Sequence, residues 1–159
     1  MTIDVEFWIK GLDGAFLAEE EVDPLGARFA EADALPGLIT IVVGATRVTL
    51  SDDLDYLVPR LCFQSIRPLR AGAPFQIIRA NASGAYELRP IGDRVWLSGV
   101  DLVATSFDKD ELLTALTRCG LRFLALLRSL HTGDGHFQGV IDELETSRAQ
   151  MEGREGAPR

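Results

Sequence analysis

Residues 108–130 read DKDELLTALTRCGLRFLALLRSL, and the periodicity of this stretch sets the architecture to expect around it. Leu112, Leu113, Leu116, Cys119, Gly120, Phe123, Leu124, Leu127 and Leu130 share one contiguous face at about 100° per residue, the spacing of an amphipathic helix. Asp108, three residues before Glu111, supplies the capping pattern that starts it. Gly120 lies in the middle of the apolar face, which predicts close approach of another backbone. A helix with this much apolar surface needs a sheet to lie on. The preceding sequence provides one: 75–79, 86–90 and 94–98 are short β-type runs parted by Asn81-Ala82-Ser83-Gly84 and by Gly92-Asp93, with a fourth run at 100–106. Connections this short leave no room for crossover helices, so the strands are antiparallel.

Working back toward the N-terminus, residues 2–10 alternate, with Ile3, Val5, Phe7 and Ile9 on one face and Asp4, Glu6, Trp8 and Lys10 on the other. That is the pattern of a half-buried strand. Residues 38–43 and 46–50 form two further runs about Gly44-Ala45, which fits a tight hairpin. Between these parts, 11–36 reads as a long loop with helical turns near 25–34. Ser51-Asp52-Asp53 offers an N-cap and a favourable acidic first turn to a helix over 52–67, whose apolar face is Leu54, Leu57, Val58, Leu61, Cys62, Ser65, Ile66 and Leu69. Pro59 should kink or restart this helix, and Pro68 should end it. A turn at 131–136 and a last helix over 140–151 complete the pattern.

The expected fold is therefore α+β, one domain over 1–151 with a disordered tail at 152–159. Its elements run β-β-β-α-β-β-β-β-α-α, and about six or seven strands form one antiparallel sheet with the helices packed on one face.

The chain has 159 residues, 24 acidic and 16 basic, for a net charge of -8. A surface of that sign neither neutralises phosphates nor seeks anionic lipid, which excludes a general nucleic-acid or membrane binder. The charge is polarised: residues 1–58 carry 12 acids and 3 bases, residues 59–130 carry 6 acids and 10 bases, and the rest carries 6 acids and 3 bases. No run reaches the ~18 apolar residues of a membrane span. The opening MTIDVEFWIK has acids where a secretory leader has bases and then apolar residues, so a reducing cytoplasm is expected, with Cys62 and Cys119 as buried free thiols.

Chemistry-bearing motifs are sparse. There is no phosphate-binding glycine loop and no G-x-S-x-G nucleophile elbow. His131, Asp134 and His136 could line a small polar pocket, yet they fall short of the ligand set and second shell of a zinc site. Asp52, Asp53 and Asp55 are explained by their place at a helix start. The expectation is no metal, no cofactor and no catalytic residue.

More informative are the residues an interface favours. Tyr56, Arg60, Phe63 and Arg67 recur at helical spacing opposite the apolar face, and Trp8 stands among Asp4, Glu6 and Lys10. Aromatics and arginines are enriched at protein interfaces. Either these residues meet a partner or the loop at 11–36 folds over them.

In size, acidity and α+β pattern, with the strand-rich middle followed by the capped helix at 108–130, the chain resembles the small immunity proteins of bacterial toxin systems. The resemblance implies a non-enzymatic protein that binds a cognate toxin, such as a basic nucleic-acid-directed enzyme. Its surface would draw on Asp4, Glu6, Trp8, Glu19, Glu20, Glu21 and Asp23, or on Tyr56, Arg60, Phe63 and Arg67. Two alternatives stand beside it: a small enzyme or ligand-binding protein using His131, Asp134 and His136, and a homodimeric structural or adaptor subunit.

Overall fold

The computed structural model describes residues 2–11, 13–22, 35–130 and 135–153, the side chains of residues 135 and 136 excepted. Its elements are β1 (Ile3–Lys10), β2 (Phe16–Ala18), a 3₁₀ turn (Glu19–Glu21), β3 (Pro36–Val43), β4 (Thr46–Asp53), α1 (Leu54–Val58), a π-helical segment (Pro59–Gln64), α2 (Ile66–Arg70), β5 (Phe75–Ile78), β6 (Ala85–Ile91), β7 (Arg94–Gly99), β8 (Thr105–Asp108), α3 (Lys109–Ser129) and α4 (Gly135–Met151). The class is α+β, as expected.

The expected single sheet is instead two antiparallel four-stranded sheets, ordered β2-β1-β3-β4 and β5-β6-β7-β8. The additional strand, β2, lies in the segment read as loop, and the helical turns expected near 25–34 fall outside the described residues. What divides the sheets is the edge of β4. The Tyr86 hydroxyl accepts the Ser51 N–H (3.0 Å) and donates to the Ser51 carbonyl (3.1 Å), and Arg79 Nε donates to the same carbonyl (3.1 Å). Side chains of the second sheet thus take up the backbone groups at which another strand would pair.

Both sheets turn their apolar faces inward. Ile3, Val5, Phe7 and Ile9 of β1 are buried, whereas Asp4, Glu6 and Lys10 are exposed and Trp8 is half-buried, which fulfils the alternation read from the sequence. Hairpin turns fall at Gly44-Ala45 and Gly92-Asp93 as expected, with Val43 opposite Thr46 and Ile91 opposite Arg94. All nine apolar-face positions of α3 are buried, and Asp108 caps the helix by accepting the Glu111 N–H (3.0 Å). Phe7 meets Phe123 edge-on at 5.2 Å, seating α3 under β1.

Between the sheets and α3 runs the helix of residues 54–70. All eight residues of its expected apolar face are buried, and so are Pro59 and Phe63. Pro59 opens the π segment, where the Ser65 N–H bonds back to the Arg60 carbonyl (2.9 Å), five residues away. The expected restart is this wider turn, a recognised device for re-registering a helix. It also explains why Pro68 does not end the helix: α2 begins afresh at Ile66, so Pro68 falls in a first turn, where a missing N–H is tolerated. The N-cap read from Ser51-Asp52-Asp53 is not made by a side chain. Asp53 occupies the cap position without a capping bond, and the Leu54 N–H is taken by the Leu35 carbonyl (2.7 Å).

Gly120 performs the role its position predicts. A Cβ there would stand 2.8 Å from Cys62 Cβ and 2.8 Å from Phe63 Cζ, so only a bare backbone lets α3 close on the π segment. The last helix starts earlier than expected, at Gly135, so part of the expected turn at 131–136 is helical, while 131–134 lie outside the described residues. Glu152 and Gly153, expected in the tail, close α4 through bonds to Arg148 and Gln150.

Gly120→Ala should therefore lower the unfolding free energy by about 1–3 kcal/mol in urea denaturation, the range for overpacking a core. Gly139→Ala, on an exposed stretch of α4 where a Cβ would meet nothing within 4 Å, should leave stability unchanged or raise it by up to about 1 kcal/mol.

Candidate functional site

Two groups of candidate residues have structural work instead. Phe63 of the aromatic and arginine stripe is wholly buried against Gly120, contrary to the exposed position expected of it. The π turn holds more residues than an α turn, so Phe63 swings toward α3. Its companions are engaged within the chain. Tyr56 donates to the Ile78 carbonyl (2.5 Å), Arg60 stacks on the Tyr56 ring at 3.7 Å and reaches Glu143 of α4 at 3.5 Å, and Arg67 donates to the Gln150 carbonyl of α4 (3.1 Å). The two arginines of the stripe thus lie along α4, whereas its aromatics are held by α3 and by the end of β5.

Asp52, likewise, is a bolt between the sheets. It is fully buried, and its carboxylate accepts backbone N–H groups from Asp53 (2.8 Å), Ala80 (2.9 Å) and Asn81 (3.0 Å). Successive N–H groups converging on one carboxylate satisfy the charge without a cation. Asp53 accepts from the Asn81 side chain (3.2 Å), which ties the same loop from outside. Among the described residues no three His, Cys, Asp or Glu side chains converge as a metal site would require.

Cys62 and Cys119 are buried and free. The hydrogen bond between the two thiols, and then burial, push Cys62 well above the ordinary thiol range. It stays protonated and is not a nucleophile. His131 and Asp134 lie outside the described residues, as does the side chain of His136.

The remaining candidates converge. Asp4, Glu6 and Trp8 of β1 and Glu19 and Glu20 of the 3₁₀ turn line one groove of about 360 Å³, whose far wall is Arg118 and Arg122 of α3. Strand alternation points Asp4, Glu6 and Trp8 outward together. The Trp8 indole N–H donates to the Thr40 hydroxyl (3.3 Å) in the adjoining strand, which holds the ring across the outer face of the sheet. The three glutamates have separate tasks. Glu19 pairs with Arg122 (3.1 Å), Glu21 accepts the Ala18 N–H (2.9 Å) and braces the turn, and Glu20 stands exposed over the groove. Asp23 lies outside the described residues.

Arg118 and Arg122 were not among the sequence candidates. Their signal was present, a pair four residues apart on the polar face of α3, but only the packing of α3 beneath β1 brings them to the acidic strand. Trp96 was missed too. It points away from the core between Val95 and Leu97 and is 42% exposed on the outer face of the second sheet, near Ile91 at 57%. No described helix is long and apolar enough to cross a membrane. Comparison of the chain with protein-family models, with curated proteins and with solved structures finds no match.

Two measurements check the structural assignments. Asp52→Asn should cost about 1–3 kcal/mol, because an amide presents donors to N–H groups that need acceptors, whereas Asp53→Asn should stay within about 0.5 kcal/mol. A thiol reagent in mildly alkaline buffer should leave both cysteines of the native protein unmodified and react with both in concentrated guanidinium.

Proposed function

We propose that the chain is a non-enzymatic protein-binding domain of the cytoplasm, an immunity protein that holds and neutralises a cognate toxin through the groove between β1 and α3. The observation that carries this reading is the gathering of Asp4, Glu6, Trp8, Glu19 and Glu20 on one concave surface. A half-buried tryptophan on the same strand face as two exposed carboxylates has the composition of an anchor with a steering rim. Asp4, Glu6 and Glu20 have no ion-pair partner among the described residues, so their charge is available to a basic protein. A toxin directed at nucleic acid presents that charge, and an acidic binder speeds its capture and occupies the surface meant for phosphates.

The product of the gene directly upstream is the partner to test. Co-expressed with this chain, it should form a stable complex and lose its toxicity to the cell. Trp8→Ala and Glu6→Lys should each weaken that complex at least tenfold, about 1.4 kcal/mol or more by calorimetry. Arg67→Ala, against α4 and away from the groove, should leave it unchanged. A harmless neighbour that forms no complex overturns the reading.

A further inference from the structure

β2 covers only part of the strand beside it. Its three residues pair with Trp8, Ile9 and Lys10, after which the chain turns away into Glu19–Glu21. On that side no described strand pairs with Ile3–Phe7, although the other side of β1 is paired along its length with β3, from Ile3 opposite Val43 to Ile9 opposite Gly37. Arg122 of α3 donates to the carbonyl of Val5 from the open side while holding Glu19. In a strand the N–H and C=O of one residue point the same way and alternate from residue to residue, so Ile3, Val5 and Phe7 all present their backbone groups to this edge. A guanidinium occupies the position of a missing strand's N–H, and the groove beside the edge is about 360 Å³.

We infer that a partner docks here by strand addition, as an extended segment pairing antiparallel with Ile3–Phe7 and carrying basic residues at alternate positions. The inference rests on the reading of this groove as the partner site. Register dictates the alternation. Residues of the added strand opposite Val5 displace the Arg122 guanidinium from its carbonyl, exchange backbone bonds with Val5, and point inward over Ala115 and Arg118 of α3. Those opposite Asp4 and Glu6 form the non-hydrogen-bonded pairs, where side chains stand closest, and point outward beside two carboxylates that have no ion-pair partner among the described residues. Lysine or arginine is favoured there, and small or acidic residues are favoured over Arg118, which is exposed and has no ion-pair partner among the described residues. A second copy of this chain does not fit. A symmetric pairing centred on Val5 sets Asp4 against Glu6 of the other copy, and like charges directly opposite destabilise a strand pair.

The test uses a capped eight-residue peptide alternating Thr with Lys, added to the full chain. Its controls are a peptide of the same composition with the lysines in one block and the alternating peptide N-methylated at its threonines. The alternating peptide should bind and slow hydrogen exchange at the Val5 and Phe7 amides at least tenfold by NMR. Both controls should bind at least tenfold more weakly. Asp4→Lys combined with Glu6→Lys, on the exposed face and with unchanged circular dichroism, should transfer the preference to a peptide alternating Thr with Glu. Equal binding of the N-methylated or block peptide, binding without protection of Val5 and Phe7, or no binding overturns strand addition. Any of these with an intact toxin complex leaves the groove as the partner site, whereas loss of the complex removes that reading as well. A dimer of this chain with those amides protected also overturns the inference, because the occupant is then a second copy.

Discussion

The contact on which the rest of the molecule depends is the bare backbone of Gly120 against Cys62 and Phe63. The helix of residues 54–70 is buried through the π segment, with Leu57, Val58, Leu61, Cys62, Phe63 and Ile66 all inaccessible, so whatever packs on it must approach closely. α3 does so at the residue without a side chain. From that fixed distance the other positions follow: Phe123 reaches Phe7 edge-on, which sets β1 over α3, and α4 closes the opposite side of the π segment through Gln64 and Ser147 at 3.1 Å. Interiors packed at crystal-like density transmit such constraints rather than absorbing them.

The two sheets treat their edges differently, and that difference links fold to function. At β4 the edge is closed by side chains, with the Tyr86 hydroxyl on Ser51 and the Asp52 carboxylate gathering the amides of Ala80 and Asn81. These bonds join the sheets at a part-buried junction whose buried carboxylate is served by backbone amides, so its value is structural. At the other end of the first sheet, β2 is too short to cover β1. There a guanidinium stands in for a strand, and acidic side chains lie alongside. Edge strands left open invite pairing, and charge is the usual means of choosing which partner answers. The polarity of the chain, an acidic first third beside an arginine-bearing middle, becomes a local feature here, with Glu19 and Arg122 facing across 103 residues of sequence.

Much of this was legible residue by residue. The strand at Ile3–Lys10, the capped helix after Asp108, its buried face and the meaning of Gly120 all follow from periodicities that burial imposes on any strand or helix. The place of Pro59 was legible as an irregularity. Its form was not, because a π turn and a kink answer the same missing bond, and the choice rests on what packs around it. Phe63 shows the consequence: at α-helical spacing it belongs to an outward stripe, and one wide turn moves it into the core. The groove was half legible. Asp4, Glu6 and Trp8 share a face by alternation alone, and Glu19 and Glu20 stand out as charge, yet nothing local joins the two groups or adds Arg118 and Arg122 to them.

By itself, then, the sequence determined most of the elements and most of their buried faces, the α+β class and the segregation of charge, because these depend on neighbours within a few residues. Only the tertiary structure decided that the strands form two sheets, that Asp52 serves as a bolt and not a cap, that Phe63 belongs against α3 and the arginines of its stripe along α4, and that a length of β1 unpaired by any described strand faces arginines from α3. Each of those outcomes turns on hydrogen-bonding groups from distant parts of the chain competing for one place. Such a competition is settled by which groups packing brings within about 3 Å, a distance that no local pattern encodes.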